Sequence, residues 1–261
     1  MADVLRLILS HKRAETMTTQ RHVPGCTVCV PESQAAEYLE LHPGLPQLVH
    51  PDSVVGIWAK REWVRQNAGG DHVQFDDDVT GCYRVYRGVG SWKKSTLGPD
   101  RVGELVEATA DRARRLGAFF FGWGQHARPL TYNGLKPFRF GGYTPSGAMG
   151  LLKGCKVWWP TDRELGDGDD YWACLMNAHL HRFAFFDRRF VFTFRPTQGA
   201  AGGLNEFRSG DTSREQVEAE VIAFLQKNFG NRVITRPTPE EAAERGLKTP
   251  GRRQIHLPYA H

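Results

Sequence analysis

Val73-Gln-Phe-Asp-Asp-Asp-Val-Thr80 sets three carboxylates in a row at the end of a short apolar run. Adjacent carboxylates repel one another and are costly to desolvate, so the stretch is either a solvated turn or a place that holds a divalent cation. Residues 73–75 read as a strand, and the chain around them alternates strands with helices. That alternation predicts an α/β fold with a mainly parallel central sheet flanked by helices. In such sheets ligands gather at the carboxyl ends of the strands, which is where Asp76, Asp77 and Asp78 would lie.

Working outward, residues 5–9 form a first strand that runs into Ser10-His-Lys-Arg13. A second strand at about 25–30 is followed by Pro31-Glu-Ser33 and a helix through Tyr38 and Leu41, stopped by Pro43-Gly44. Leu48-Val49 reads as a short third strand. Residues 53–67 read as a helix with Val54, Ile57, Trp58 and Arg61 at helical spacings. Downstream, 99–117 carries an apolar stripe of Val102, Leu105, Val106, Ala113 and Leu116, with Thr109 presenting its methyl group and Gly117 ending the helix. Residues 118–121 read as a strand, and 122–154 is rich in Gly, Pro and aromatics, as pocket-building loops are. Strands are expected at 155–159 and 190–194, with a helix between them that Asp169 or Asp170 caps and that runs to about Ala178. Thr212 with Glu215, or Ser213 with Gln216, offers a capping box for a last helix whose face is Val217, Val221, Phe224 and Leu225. The reading is one catalytic domain over 1–230 and a loosely packed extension over 231–261.

Composition narrows the class. A hydrophobic content of 40% and 11% aromatics over 261 residues exclude a disordered chain. The formal charge of +5 suits a polyanionic partner and an ordinary basic enzyme equally. Cys26-x-x-Cys29 has no second pair to complete a zinc site, and it reads as strand, where small thiols are buried. The opening apolar run is too short for a signal peptide and no stretch approaches a membrane span, so a cytoplasmic setting is expected.

Three groups of residues bear on chemistry. Asp76 and Asp78, two apart in a strand-end loop, can reach one hard cation such as Mg²⁺ or Mn²⁺, with Asp77 between them. A second acidic cluster runs from Asp162 to Asp170. There Asp169 or Asp170 either serves the helix dipole or accepts a proton from a hydroxyl. The glycine- and aromatic-rich loop 138–150 would let a ligand approach the backbone closely, and matches neither a Walker A loop nor the dinucleotide fingerprint. Among the scattered basic residues, Arg13 is placed to meet a pyrophosphate. Trp92-Lys93-Lys94 has the look of a DNA contact, and Arg188-Arg189 forms a further pair.

An ordered set of short motifs carries a resemblance: Ser10-His-Lys-Arg13, Val30-Pro-Glu-Ser-Gln34, His50-Pro-Asp52, Lys60-Arg-Glu-Trp63 and Phe75-Asp-Asp-Asp78. Pro137-Phe138 with Gly141-Gly-Tyr143, and Gly202-Gly-Leu204 with Arg208, follow in order. Together they resemble the TET/JBP-associated glycosyltransferases of tailed bacteriophages over roughly residues 5–210. The resemblance implies a GT-A-like nucleotide-diphospho-sugar transferase fold. It also implies transfer of a sugar from a nucleotide-sugar donor, a UDP-sugar above all, to the hydroxymethyl group of a modified pyrimidine in double-stranded DNA, 5-hydroxymethylcytosine first. A TET/JBP-like dioxygenase would install that hydroxyl, and a phage-encoded enzyme would work in the host cytoplasm. Carried onto this chain, Asp76 and Asp78 bind Mn²⁺ or Mg²⁺. Ser10, Arg13, Glu32, Gln34, Asp76, Asp77, Arg195 and Arg208 hold the donor. Asp169 or Asp170 is the catalytic base, since Gly168-Asp-Asp-Tyr171 stands where related transferases have Glu-Asp-x-Asp and does not choose between them. A late metal-binding histidine is also implied, for which His179 and His181 lie nearest. A glycan or small-molecule acceptor, a metal-dependent nucleotidyltransferase, and a DNA-binding module without activity are the competing readings.

Overall fold

In a computed structural model, residues 3–88, 91–124, 132–145, 147–162, 165–195, 214–235, 238–244 and 254–255 are described. The aliphatic run of β1 (Leu5–Leu9) buries Leu7 toward one face and Ile8 toward the other, as a strand inside a two-sided sheet must. It pairs in parallel with β2 (Cys26–Pro31) and β4 (His72–Asp76), and β2 pairs in parallel with β3 (Gln47–His50). Helices α1 (Ala35–Leu41) and α2 (Gly56–Asn67) make the crossovers. Cys26 and Cys29 are buried strand thiols, pushed up by burial to about 12 and about 11.

Beyond β4 the sheet continues through β9 (Ala148–Leu151), β7 (Phe120–Gly124), β10 (Phe185–Phe194), β5 (Val79–Gly88) and β6 (Ser91–Thr96), with β8 (Phe138–Arg139) beside β10. Strand β9 runs antiparallel to both β4 and β7, so β7 and β10 again point the way β1–β4 point. Most strands of the sheet therefore point one way, with β9 reversed at its centre and β5 and β8 reversed beside β10. Helix α3 (Pro99–Arg115) covers one face through Val102, Val106, Ala110 and Ala113. Helices α4 (Asp169–Leu180) and α5 (Arg214–Phe229), with Trp58 of α2, cover the other above Phe120, Met149, Leu151 and Phe186.

Several local expectations are corrected. The β5–β6 hairpin follows the aspartates directly, and β8 and β9 emerge from the glycine-rich stretch. Residues 155–159 form no strand: Val157 and Trp159 are buried, but the Trp159 N–H donates to the Glu62 carboxylate at 3.0 Å instead of to a sheet neighbour. Leu116 lies past the end of α3 and is 49% exposed. Helix α4 is capped by Gly168 at φ 83, with Asp169 and Asp170 inside its first turn. The capping box at Thr212 and Ser213, the motif at 202–204 and Arg208 lie outside the described residues.

Strand β9 fits between β4 and β7 because Gly150 leaves room for the ring of Phe121, into which a β-carbon at 150 would run. Gly150→Ala should lower the unfolding free energy by about 1–3 kcal/mol in urea titrations, the usual effect of overpacking a filled core.

Candidate active site

The carboxyl ends of β1 and β4 meet in a chain of hydrogen bonds. The Arg13 N–H donates to the Tyr38 hydroxyl at 3.1 Å, Tyr38 donates to Ser10 Oγ at 2.6 Å, and Ser10 donates to Asp77 Oδ2 at 2.6 Å. The Arg13 guanidinium closes on Asp77 Oδ1 at 3.1 Å. Both oxygens of Asp77 are thus engaged. The Lys60 ammonium, 5% exposed, donates to the Ser10 carbonyl at 2.7 Å, and burial pushes its pKa down to about 8.

The segment after β1 clamps the aspartate turn from outside. The Thr18 N–H donates to the Asp77 carbonyl at 2.9 Å, and Thr19 Oγ1 donates to the Asp76 carbonyl at 2.6 Å while accepting the Val79 N–H at 3.0 Å. Such bonds let the backbone hold three acids in fixed directions although their charges repel.

Arg61 is the centre of the site. Its guanidinium, 1% exposed, donates through Nε to Asp169 Oδ2 at 2.5 Å, through Nη1 to Gln74 Oε1 at 3.0 Å and through Nη2 to Asp76 Oδ1 at 3.1 Å. Burial works against its charge, and the Asp169 and Asp76 carboxylates more than offset that. The Gln74 amide continues to His72 Nε2 at 3.3 Å, and His72 Nδ1–H donates to the Gly70 carbonyl at 2.9 Å, which makes Nε2 the acceptor. Residues on α2, β4 and α4, more than a hundred positions apart at the extremes, converge on this one side chain.

On α4, Asp170 accepts hydrogen bonds from the Tyr143 hydroxyl and from the Tyr171 N–H. The Trp159 indole donates to the Asp169 carbonyl at 3.0 Å, and Trp58 to the Asp167 carbonyl at 3.1 Å, fixing the start of the helix.

The remaining residues expected at the site divide. Gln34 is buried, accepts the Lys12 N–H at 2.7 Å and pairs with His11 Nδ1 at 3.2 Å. Glu32 is exposed at the end of β2. Arg195 is brought in through its backbone, whose N–H donates to the Asp78 carbonyl at 2.9 Å, while the residue itself is exposed. His179 and His181 sit at the far end of α4, about 16 Å along the axis from Asp169. His181 Nε2 accepts the Lys156 N–H and its ring packs on Phe119, a structural role. Tyr38, Gln74 and Tyr143 were not read from sequence as site residues. Arg61 had a signal: it shares a helix face with Ile57 and Trp58, where a surface arginine would not sit.

Among the three aspartates, acceptor capacity remains on Asp76 and Asp78. Asp78 Oδ1 is buried with no hydrogen-bond partner among the described residues, and burial, then Asp76 and Asp77, push its carboxyl up to about 7. Burial likewise raises Asp76, against the pull of Arg61. Two adjacent carboxylates that resist ionising suit a hard dication whose other ligands are phosphate oxygens and water. No group of three or more His, Cys, Asp or Glu gathers for a metal among the described residues, so a protein-only cage is not what they form.

The family model of TET-associated glycosyltransferases matches residues 7–203. No curated protein matches the chain. Among solved structures, the crystal structure of S. aureus TarS 1-349 aligns at a TM-score of 0.43 and 12% identity, covering 87% of this chain and 72% of that one.

Removing the Arg61 guanidinium would leave the buried Asp169 facing the half-exposed Asp76 with no cation between them. Arg61→Met should cost about 3–5 kcal/mol in urea unfolding, and Arg61→Lys should recover less than half, since one ammonium cannot reach three separated acceptors. Asp78 carries a pH signature in chelator-treated protein. Its pKa is about 7 folded and about 4 unfolded. The unfolded chain therefore loses this proton first, and the fold weakens between those values as pH rises, then levels off. Asp78→Asn should gain stability relative to wild type as pH climbs through that window, and keep a constant difference above it.

Proposed function

The chain belongs to the TET-associated glycosyltransferase family, and from that premise we propose that it moves a sugar from a nucleotide-sugar donor, a UDP-sugar above all, to the hydroxymethyl group of a modified pyrimidine in DNA, 5-hydroxymethylcytosine first. The observation that carries the donor half is the Asp78 Oδ1, buried with no hydrogen-bond partner among the described residues, beside Asp76 at the carboxyl end of β4. A structural turn would have satisfied or exposed that atom. The acceptor half is supported by the family's description, because a TET/JBP-like dioxygenase is the class of enzyme that would install the hydroxyl. Work in the cytoplasm of a phage's host belongs to the same proposal. No helix among the described residues is long and apolar enough to cross a membrane.

Asp76 and Asp78 would hold Mn²⁺ or Mg²⁺, which when bound neutralises charge developing on the leaving diphosphate. Ser10, Arg13, Glu32 and Gln34 line the strand ends where the nucleotide would rest, and Arg195 lies beside Asp78. The bond from the anomeric carbon to the diphosphate breaks, with its electron pair leaving on the nucleoside diphosphate, and a new bond forms to the hydroxymethyl oxygen. That oxygen's proton goes to a carboxylate, and Asp170 suits this better than Asp169. Protonating Asp169 would take one of two hydrogen-bonded carboxylates from a buried guanidinium, whereas Asp170 accepts hydrogen bonds from a neutral phenol and a backbone N–H. Asp169 then positions, and Asp170 accepts the proton.

The test is sugar transfer to duplexes containing 5-hydroxymethylcytosine or 5-hydroxymethyluracil, with a panel of UDP- and GDP-sugars and Mn²⁺ or Mg²⁺, read by nucleoside digestion and mass spectrometry. A hexose-sized gain on the base is expected, lost in Asp76→Ala and Asp78→Ala. In Asp170→Asn it should fall by roughly 10²–10⁴, the range of a general base. Mn²⁺ should raise the Tm of the wild type and leave that of Asp78→Asn in place. Metal-dependent donor hydrolysis without transfer to either base would move the acceptor to a glycan or small molecule. Neither transfer nor hydrolysis would remove the glycosyltransferase reading of this site.

A further inference from the structure

Strand β5 pairs with β10 only as far as Arg84, whose register partner there is Phe190. From Val85 to Gly88 its partner among the described residues is β6, so this end of the sheet narrows to a two-stranded antiparallel ribbon. Between Val79 and Pro99 the chain carries Arg84, Arg87, Lys93 and Lys94 and no Asp or Glu. The register sets Arg84 opposite Ser95, Val85 opposite Lys94 and Tyr86 opposite Lys93. Successive residues of a strand point to opposite faces, so Arg84 and Lys94 stand on opposite sides of the ribbon. Arg84, Lys94, Ser95 and Thr96 are exposed, and so is Tyr86. Lys94 Nζ lies over the Tyr83 ring at 4.6 Å, which steadies the side chain without neutralising it. Val85, at the base of the ribbon, is buried and secures it to the body of the protein.

On α3 the exposed arginines are matched by acids: Arg101 pairs with Glu104 at 2.9 Å and Arg115 with Asp111 at 2.8 Å. Arg84 and Lys94 have no carboxylate at ion-pair distance among the described residues. Lysines on an edge strand also keep sheets from pairing edge to edge, and β6 is such an edge. That accounts for the lysines of β6 but not for Arg84 and Tyr86, which lie one strand in. Cations on both sides of a ribbon, with serine, threonine and tyrosine hydroxyls between them, form the donor set that takes backbone phosphates. A duplex presents phosphates in two rows, one on each wall of a major groove about 12 Å wide that admits a two-stranded ribbon. The ribbon is also rooted in the candidate site. Strand β5 begins at Val79, next to Asp78, and Arg84 stands about 20 Å along it. One turn of a duplex is about 34 Å long, so DNA with its modified base at the site passes the ribbon within the same turn.

We propose that the β5–β6 ribbon grips the acceptor duplex, with Arg84 and Lys94 taking backbone phosphates on its two sides. The inference rests on the DNA-acceptor reading above and adds the surface that holds the DNA. The donor's diphosphate has the same chemistry, but its expected place is at the Asp76 end of β4.

The test uses the full chain and a fluorescein-labelled duplex two turns long with one central 5-hydroxymethylcytosine. Binding is followed by anisotropy across a salt series without donor, beside UDP binding in Mn²⁺. Arg84→Gln and Lys94→Gln should each lower the slope of log affinity against log salt by about one, and the double variant by about two, with UDP affinity unchanged. Arg84→Lys and Lys94→Arg should keep the slope, which ties the loss to charge and not to disturbed packing. Arg101→Gln combined with Arg115→Gln removes two exposed cations of α3 and should leave the slope in place. An equal loss of slope in that α3 variant would overturn the grip, because charge anywhere on the protein would then suffice. An unchanged slope in the ribbon double variant, in an enzyme that still glycosylates DNA, would overturn the grip and leave the function standing. Weakened UDP binding with duplex binding intact would assign the ribbon to the donor and overturn it equally. A wild-type chain that neither binds nor modifies any duplex would overturn both readings.

Discussion

A single buried guanidinium organises this molecule. Arg61 sits where two acids from distant parts of the chain, the buried Asp169 and the half-exposed Asp76, would otherwise confront each other. It satisfies both, together with the amide of Gln74. Each acid alone would be driven toward its neutral form by burial, and so would be useless as a charged ligand or as a support. With Arg61 between them, Asp76 is aimed at the end of β4 and the first turn of α4 is tied to the same point. The planar fork of arginine is what allows three acceptors in different directions to share one cation.

The sheet supplies the rest of the frame. Parallel strands deliver Ser10, Pro31, His50 and Asp76 to a common edge, and residues 140–145, between β8 and the reversed strand β9, come back across that edge. The approach depends on small residues. A β-carbon on Gly122 would meet Thr144 Oγ1 at 2.7 Å, and one on Gly142 would meet the Arg139 guanidinium, so the loop descends onto the sheet only where side chains are missing. The glycines read from the sequence as room for a ligand serve first as room for the protein's own loop, which in turn sets Tyr143 on Asp170.

Much of this was legible in the chain. The aliphatic runs of β1, β2 and β4, the stripe of α3 and the acids after Phe75 follow from rules of periodicity that act over a few residues, and they lead to the α/β class and to the strand-end position of Asp76, Asp77 and Asp78. Local rules failed where a residue's partner lay far away. Residues 155–159 have the composition of a strand, but the Trp159 N–H bonds to Glu62, 97 positions distant, and the Lys156 N–H to His181. The β5–β6 hairpin hid in mixed polar sequence because its pairing with β10 joins segments about a hundred residues apart.

For the site, the sequence by itself determined which acids are present, that three of them end a strand, and that the ordered motifs resemble one family of transferases. Only the tertiary structure decided what each acid is able to do. It engaged both oxygens of Asp77, left one oxygen of Asp78 buried with no hydrogen-bond partner among the described residues, made Asp169 a counter-ion of Arg61 and gave Asp170 to Tyr143. The reason is physical: a carboxylate's chemistry depends on burial and on the charges within a few ångströms of it, and those neighbours are brought together by folding, from positions that no local pattern connects.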